Sequence, residues 1–307
     1  MSIVHVVVLA IVQGLAELLP VSSSAHVVVA EKLMGLDPST AQMTLLLVML
    51  HTGTMFAVIA YFWQQWKQTY FSSADAFKRF AVRLIWATLL TGILGEALIK
   101  IVEKTAFAGA PKAEIEELFG RLDLVAPALL CAGILILIAG LRERKLDRAA
   151  AVRSAAAPAP ESITRRSAGT VTMRQAGWMG LVQGLCLPFR GFSRSGATIS
   201  AGMLANAAKD RAERFSFAMA VAITPAAIGR EALRLLHAQH DGAAAGAPVD
   251  LHGTVLLSLL GAVFAFFAGL FALKWLSNWL ENGRWYIFGI YCVIASAGVF
   301  FLHMRGY

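Results

Sequence analysis

The chain has 307 residues, of which 58% are hydrophobic and only 15% are charged, and its mean hydropathy is +0.65. Soluble domains carry about 45–50% apolar and about 25% charged residues, so this composition excludes a soluble globular domain, a disordered chain and a small disulfide scaffold. The net charge of +8 is weak evidence for nucleic-acid binding, because basic residues are also expected on the cytoplasmic loops of membrane proteins. We predict an integral membrane protein that binds no nucleic acid.

Eight apolar stretches follow one another along the chain, and six are long enough to cross a bilayer, which takes about 20 residues. The six predicted spans are approximately 41–63, 80–101, 124–141, 212–236, 253–276 and 285–303. The stretches 3–35 and 176–207 are each interrupted by a proline and a polar run. Each half is therefore short for a crossing, at roughly 12–17 residues or about 18–25 Å of helix. Irregular backbone at membrane depth must be shielded by protein or by a wet cavity, so we interpret both stretches as re-entrant hairpins.

A cleaved signal peptide is the alternative for the first stretch, because Ser23-Ser24-Ala25 resembles a small-residue cleavage site. Against it, residues 1–20 contain no Lys or Arg, and Glu17 interrupts the region that should be apolar.

The order of one hairpin and three spans occurs twice, and both hairpins contain Val-Gln-Gly-Leu, at 12–15 and at 182–185. An odd number of spans predicts that the second half inserts upside down, which makes the chain an inverted-topology repeat with its site near the midplane. The predicted fold is an all-α polytopic membrane protein of six transmembrane helices and two re-entrant hairpins. Its parts are a first repeat (1–141), a basic cytoplasmic linker (142–174) and a second, inverted repeat (175–307).

The distribution of charge predicts the orientation. Residues 142–174 hold eight basic residues against three acidic ones, and residues 235–252 contain no Lys or Arg. The positive-inside rule places the basic side in the cytoplasm, so both termini and the first hairpin face the outside. The linker is also rich in Ala and Pro, which is typical of a flexible tether, although contact with anionic lipid is an alternative for it.

The first hairpin carries ionisable groups in an otherwise apolar stretch. Gln13 and Glu17 are four residues apart and share one face of the first half-helix. Pro20 breaks the helix, and Ser22, Ser23 and Ser24 are placed to cap the second half. Ser23 and His26 are three residues apart, which favours a hydroxyl beside an imidazole. An ionisable group inside a membrane is a functional candidate by default, because burying it uncompensated is costly.

The second hairpin begins its second half with Ser193, Arg194 and Ser195, followed by Thr198. A helix N-terminus with serines and an arginine in its first turn is an anion site, and the guanidinium matches phosphate oxygens. If the two breaks meet, both helix N-termini converge on one phosphate, while Glu17 and Gln13 supply oxygen ligands for a divalent cation.

Simpler interpretations remain open for several of these residues. The alternative for the serines is that they only cap the helix. The alternative for Gln13 is a hydrogen bond to another helix. His51, in the first full span, is interpreted as a packing residue rather than a ligand.

Two long motifs, in this order and spacing, resemble the undecaprenyl-diphosphate phosphatases of the bacitracin-resistance type. They are Gln13-x-x-x-Glu17 followed by Leu-Pro-Val-Ser-Ser-Ser-x-His26, and Gly191-Phe-Ser-Arg-Ser-Gly-Ala-Thr-Ile199. The resemblance continues through residues 214–217 and covers nearly the whole chain outside the linker. The chain differs at Gln13, where the family often has Glu, at Ala25, and at Arg190, which stands where the family commonly has proline.

The resemblance implies a bacterial inner-membrane enzyme with an outward-facing site. It removes the terminal phosphate of undecaprenyl diphosphate, recycles the lipid carrier for cell-wall synthesis and confers bacitracin resistance. By residue match its catalytic positions fall on Gln13, Glu17, Ser23, His26 and Arg194. A divalent cation (Mg²⁺ or Ca²⁺), membrane lipids as neighbours and a homodimer are further expectations.

The sequence leaves the nucleophile open between Ser23 with His26 as base, His26 itself, and a metal-activated water. A transporter or flippase of a lipid phosphate or organic anion is the alternative function, because broken helices in inverted repeats are also a transporter design.

Overall fold

The protein is described here by a computed structural model, which covers residues 2–37, 40–106, 118, 121–156, 169–244, 251–280 and 284–306. Within these residues it contains ten α-helices and no strand. The helices are α1 (Ile3–Leu18), α2 (Ser23–Leu33), α3 (Ala41–Thr69), α4 (Ala74–Ala106), α5 (Leu122–Ala156), α6 (Met173–Cys186), α7 (Arg194–Leu204), α8 (Lys209–Ala244), α9 (Leu251–Leu280) and α10 (Trp285–Met304).

Five helical segments of the described chain are long and apolar enough to cross a bilayer, so the prediction of an all-helical, multi-pass membrane protein is confirmed. They are Gln42–Thr69, Ala74–Thr105, Leu122–Val152, Gly253–Lys274 and Trp285–Met304. Each overlaps a predicted span. The remaining predicted span, 212–236, lies in α8, which is not among the five. Pro225 and the charged residues 230, 231 and 234 lower its apolar character, so the six-span arrangement stays a prediction.

The outer faces of the apolar helices are themselves apolar. On α4, α9 and α10 large apolar side chains are more than half exposed, as at Ile85, Leu89, Ile93, Phe267, Phe271 and Ile294. Patches of this kind would drive association in water, whereas lipid tails cover them without cost.

Both interrupted stretches form two half-helices, as predicted, and none of these halves exceeds 16 residues. The linker differs from the prediction in part, because α5 continues as helix to Ala156. Residues 142–156 are rich in Ala, Arg, Leu, Glu and Lys, which favour helix. The middle of the predicted linker, 157–168, lies outside the described residues, as do parts of the loops used to predict the orientation.

The helices of the two halves pack against one another throughout. α1 packs on α9 and α6 packs on α4, while α3 contacts α8 and α5 contacts α10. If α1–α5 of the first half are exchanged with α6–α10 of the second, the α1–α9 contact becomes the α6–α4 contact. The α3–α8 and α5–α10 contacts each become themselves. This is the pattern expected of two repeats, whose inverted insertion stays a prediction.

The repeated Val-Gln-Gly-Leu sequence has a packing reason. A Cβ atom on Gly14 would lie 2.5 Å from the Cβ of Ala268 in α9. A Cβ on Gly184 would lie 3.0 Å from the Cβ of Leu94 in α4. Both glycines therefore let a half-helix approach a long helix closely, as small residues do in membrane bundles.

Candidate active site

Two interruptions of the helices create matching helix starts. Pro20 carries no backbone N–H and follows the end of α1. Ser22 then has φ 67°, and its hydroxyl accepts the backbone N–H of Ala25 at 3.4 Å, which caps α2. Ser193 repeats this geometry with φ 52°, and it caps α7 through the N–H of Gly196 at 3.3 Å. Positive φ is uncommon outside glycine, and such strained backbone is concentrated at functional sites.

The two breaks touch each other. The backbone N–H of Gly191, in the second break, donates to the hydroxyl of Ser24 in the first at 3.2 Å. The hydroxyls of Ser22 and Ser24 are themselves 3.2 Å apart. Arg194, the first residue of α7, forms an ion pair with Glu17 near the end of α1. The N-terminal ends of α2 and α7 therefore lie at one polar centre, where their unpaired N–H groups favour an anion.

The carboxylate of Glu17 is held on both of its oxygens. Oε1 accepts from Arg194, while Oε2 accepts from the Gln13 amide at 2.9 Å and from the Ser23 hydroxyl at 2.5 Å. The Nε2 atom of His51 lies 3.2 Å from the same Oε2. Glu17 is only 6% exposed, so these groups fix its orientation.

A cavity of about 150 Å³ opens onto this cluster. Its lining comprises Glu17, Ser22, Ser23, Ser24, His51, Ser193, Arg194 and Ser195. Every one of these side chains is polar, and the set pairs one carboxylate with one guanidinium. A hydroxyl that donates to a carboxylate is prepared to lose its proton, and an arginine beside it neutralises a phosphoryl group. The cavity therefore has the groups that phosphoryl transfer needs.

Most residues predicted for the site line this cavity, but Gln13 and Thr198 lie behind it. Gln13 is fully buried and reaches the cavity only through Glu17. Thr198 is fully buried too, and its hydroxyl lies 2.5 Å from that of Ser216 in α8. Its second contact is the carbonyl of Arg194 at 2.8 Å, so Thr198 fixes the start of α7 rather than facing a ligand.

His26 is placed differently from the expectation that its ring lies beside Ser23. Its Nδ1 lies 2.7 Å from the carbonyl of Ser22, and its Nε2 lies 2.6 Å from the hydroxyl of Tyr291 in α10. The His26 and Tyr291 rings are stacked. His26 does not line the cavity, and Ser23 donates to Glu17 instead.

His51 is the site residue that the sequence analysis missed. It lies in α3, in an uninterrupted apolar run, and its Nδ1 is satisfied by the carbonyl of Leu47 at 2.8 Å. That contact directs Nε2 towards Glu17. The available signal was the rarity of an ionisable side chain within a membrane span, which the packing interpretation discounted.

The side chains around Glu17 offer few ligands for a divalent cation. Within the described residues, no group of three or more His, Cys, Asp or Glu side chains is arranged to hold a metal. The Oε1 atom of Gln13 is nevertheless buried without a hydrogen-bond partner, next to Glu17. One carboxylate, one amide oxygen and the oxygens of a phosphate substrate fit the usual ligands of Mg²⁺, which rarely has an all-protein site.

Comparison with known proteins gives a consistent result. The family described as "Bacitracin resistance protein BacA" matches residues 6–298. A protein of Acinetobacter baylyi named "Undecaprenyl-diphosphatase 2" is 53% identical over 300 residues, which are 97% of each chain. One of Burkholderia ambifaria with the same name is 34% identical over 98% of this chain and 96% of its own. Another, "Undecaprenyl-diphosphatase 1" of Burkholderia pseudomallei, is 34% identical over 99% of both. The chain belongs to the BacA family.

Proposed function

We propose that this membrane protein is a phosphatase that hydrolyses undecaprenyl diphosphate to undecaprenyl phosphate and inorganic phosphate. It thereby recycles the lipid carrier for cell-wall synthesis and confers bacitracin resistance. The names of the similar proteins support this substrate. These names also favour the phosphatase over a transporter. A transporter of an anionic lipid needs a positively charged side chain to bind the anion, but it does not need a hydroxyl that donates to a carboxylate.

Binding of the terminal phosphoryl group falls to Arg194 and the starts of α2 and α7. One guanidinium nitrogen of Arg194 bonds Glu17. A guanidinium has five N–H donors in a fixed fork, so the others remain for phosphate oxygens. Ser193 and Ser195 lie at the same helix start and line the same cavity. Positioning and charge neutralisation supply most of the catalysis in phosphoryl transfer.

Ser23 is the proposed nucleophile and Glu17 its base. The Ser23 Oγ attacks the terminal phosphorus while its proton passes to Glu17 Oε2, and the bond to the bridging oxygen breaks to release the lipid monophosphate. That proton passes from Glu17 to the departing lipid phosphate, which restores the carboxylate. Water then attacks the phosphoserine while Glu17 takes its proton, and the bond from phosphorus to Ser23 Oγ breaks. Glu17 returns the proton to Oγ, which releases inorganic phosphate and restores the Ser23 hydroxyl. Gln13 and His51 orient the carboxylate. His26, whose two ring nitrogens both have partners, positions the start of α2.

A divalent cation, Mg²⁺ or Ca²⁺, is proposed at Glu17 and Gln13, where it would neutralise the diphosphate oxygens. Chelation is expected to stop phosphate release. Independently of activity, added Mg²⁺ should raise the unfolding temperature of the wild type but not of Glu17→Gln. An equal shift in both proteins would place the cation elsewhere.

The contact between the Ser23 hydroxyl and Glu17, opposite Arg194, is the observation that carries the proposal. The test is phosphate release from undecaprenyl diphosphate by purified protein in detergent, beside Arg194→Ala. Arg174→Ala is the matched control, because Arg174 is an exposed residue in the first turn of α6. Activity should disappear only in Arg194→Ala. Absence of release from folded wild-type protein would overturn the proposed function.

The nucleophile has its own test. Rapid quenching with substrate labelled in the terminal phosphate should trap a phosphoserine at position 23. A phosphohistidine at position 26 would identify His26 as the nucleophile instead. The absence of any adduct under single-turnover conditions would identify water.

The inner membrane as location, an outward-facing site and a homodimer also stand as proposals. For the orientation, a single cysteine at Ala157→Cys in a protein lacking the native cysteines should react with an impermeant maleimide only after the cells are opened. Labelling in intact cells would mean that this residue faces the outside, which is the reverse of the proposed orientation. The mass of the protein–detergent complex tests the dimer.

A further inference from the structure

A second cavity, of about 300 Å³, adjoins the one that holds Glu17. The two share Ser24, His51, Ser193 and Arg194 in their linings. The second cavity is otherwise largely apolar, with walls formed by Leu47, Val48, Leu187, Phe189, Phe192 and Ile223. Among the described residues, Arg190 is the one charged side chain that lines the second cavity but not the first. The two adjoining cavities are therefore lined by two arginines, Arg190 and Arg194.

The backbone fixes Arg190 next to the site. The residue that follows it is Gly191, whose N–H donates to the hydroxyl of Ser24. Consecutive Cα atoms are about 3.8 Å apart, so the origin of the Arg190 side chain cannot lie far from that contact. A Cβ on Gly191, which has φ 103°, would lie 2.5 Å from the carbonyl oxygen of Val125 in α5. The tip of the second break is therefore wedged between Ser24 and α5.

A buried acid interacts with Arg190. Glu31, in the last turns of α2, is fully buried, and neither of its carboxylate oxygens has a hydrogen-bond partner. Arg190 is the cation with which Glu31 interacts electrostatically, and Asp37 is the nearby like charge. Burying a carboxyl without hydrogen bonds is costly. Attraction to Arg190 offsets part of that cost, so Glu31 is the buried acid that acts on the Arg190 guanidinium.

We propose that Arg190 binds the phosphate that stays on the lipid while Arg194 binds the terminal phosphate, and that Glu31 is the positioning residue for Arg190. This inference rests on the proposed function. A diphosphate, whose two phosphates share one oxygen, spans the two arginines at the junction of the cavities, and the apolar walls receive the start of the lipid. A monophosphate satisfies only one arginine, so the pair selects diphosphates.

The inference predicts a particular kinetic pattern. Arg190 contacts the phosphate that departs with the lipid and gains negative charge as the bridging bond breaks, so Arg190 contributes both to substrate binding and to stabilising the transition state. Arg190→Gln should therefore raise the KM for undecaprenyl diphosphate by about tenfold or more and also lower kcat. The inhibition constant of the product, undecaprenyl phosphate, should rise by a similar factor because the product keeps the same contact.

The experiment measures kcat, KM and the product inhibition constant for the wild type, Arg190→Lys, Arg190→Gln and Glu31→Gln, with Arg174→Gln as the control. Arg190→Lys should be intermediate, since it keeps the charge but not the planar fork. Glu31→Gln should shift KM and the inhibition constant in the same direction by a smaller factor. Should Arg190→Gln fold poorly, the double variant Glu31→Gln/Arg190→Gln removes both charges together and serves in its place.

Two results would overturn the inference. One is a lowered unfolding temperature with KM and the inhibition constant unchanged, which makes Arg190 only a structural partner of Glu31. The other is a fall in kcat with the inhibition constant of undecaprenyl phosphate unchanged, which places Arg190 on the terminal phosphate that is transferred. Neither resembles failure of the proposed function, in which the wild type itself would release no phosphate.

Discussion

The carboxylate of Glu17 accepts hydrogen bonds from Gln13, Ser23 and Arg194, and it lies beside His51. Replacing it with the amide of glutamine, which has nearly the same shape, changes the chemistry of the side chain more than its volume. Glu17→Gln cannot take the Ser23 proton and gives up the charge that faces Arg194. General-base catalysis contributes about 10²–10⁴-fold, so kcat should fall by at least about 100-fold.

Glu96→Gln is the control for this variant, because Glu96 is 62% exposed and only pairs with Lys100 along α4. It should keep wild-type activity. If Glu17→Gln retained more than about a tenth of kcat in the phosphate-release assay, Glu17 would not be the base.

His51, which the sequence pattern assigned to packing, offers a test of that interpretation. His51→Gln removes the ring nitrogen that faces Glu17 while leaving a polar side chain in α3. We expect kcat to fall by about tenfold, the usual cost of a displaced supporting residue. His303→Gln, at the exposed end of α10, should have no effect. Equal kcat in both variants would return His51 to the role of a packing residue.

Local signals explain which site residues the sequence could identify. Glu17, the serines and Arg194 lie within a few residues of a helix break, so an anion site could be inferred without a tertiary structure. The partners of His26 and Thr198 are Tyr291 and Ser216, which lie far along the chain or on another helix. No spacing rule finds such contacts, so the roles of these two residues needed the fold.

At the scale of the elements, the close contact of α1 with α9 determines where Glu17 lies. Gly14→Ala would bring a methyl group to 2.5 Å from the Cβ of Ala268 and to 2.9 Å from the backbone nitrogen of Gly269. Overpacking of this kind costs about 1–3 kcal/mol. We expect a lower unfolding temperature in detergent and a loss of activity, because α1 must shift.

Gly92→Ala is the matched control for Gly14→Ala. It is also a helix glycine, but a Cβ there meets nothing within 4 Å. It should leave the unfolding temperature unchanged or raise it, since alanine favours helix by about 1 kcal/mol. Equal behaviour of the two variants would contradict the close packing of α1 on α9.

The elements also show where sequence patterns suffice. Pro20 and the serines after it define a break from nearby residues alone, and the structure has that break. α8 is less regular as a pattern, because Pro225 and several charges lie within one continuous helix of 36 residues. It packs against α3 and α7, and composition does not encode such contacts.

At the scale of the whole molecule, the two halves share one core and one site. Glu17 and the first serine cluster come from the first half, and Ser193 and Arg194 come from the second. The helix pairs α1–α9, α4–α6 and α5–α10 all join one half to the other. The chain connection between the halves is therefore not what holds them together.

This arrangement predicts that residues 1–156 and 169–307, expressed as separate chains in one cell, assemble and release phosphate from undecaprenyl diphosphate. The missing connection removes an entropic advantage but none of the contacts named above. Copurification through a tag on one half, followed by the phosphate-release assay, checks the outcome.

Gly140→Leu in the first half tests whether these interfaces drive the assembly. A Cβ at Gly140 already meets the backbone of Tyr286 in α10, so a leucine should separate α5 from α10 and reduce copurification. Gly92→Leu, on an open face of α4, should not. Halves that fail to copurify when each is inserted in the membrane would mean that the connecting segment, rather than the packing of helices, holds the site together.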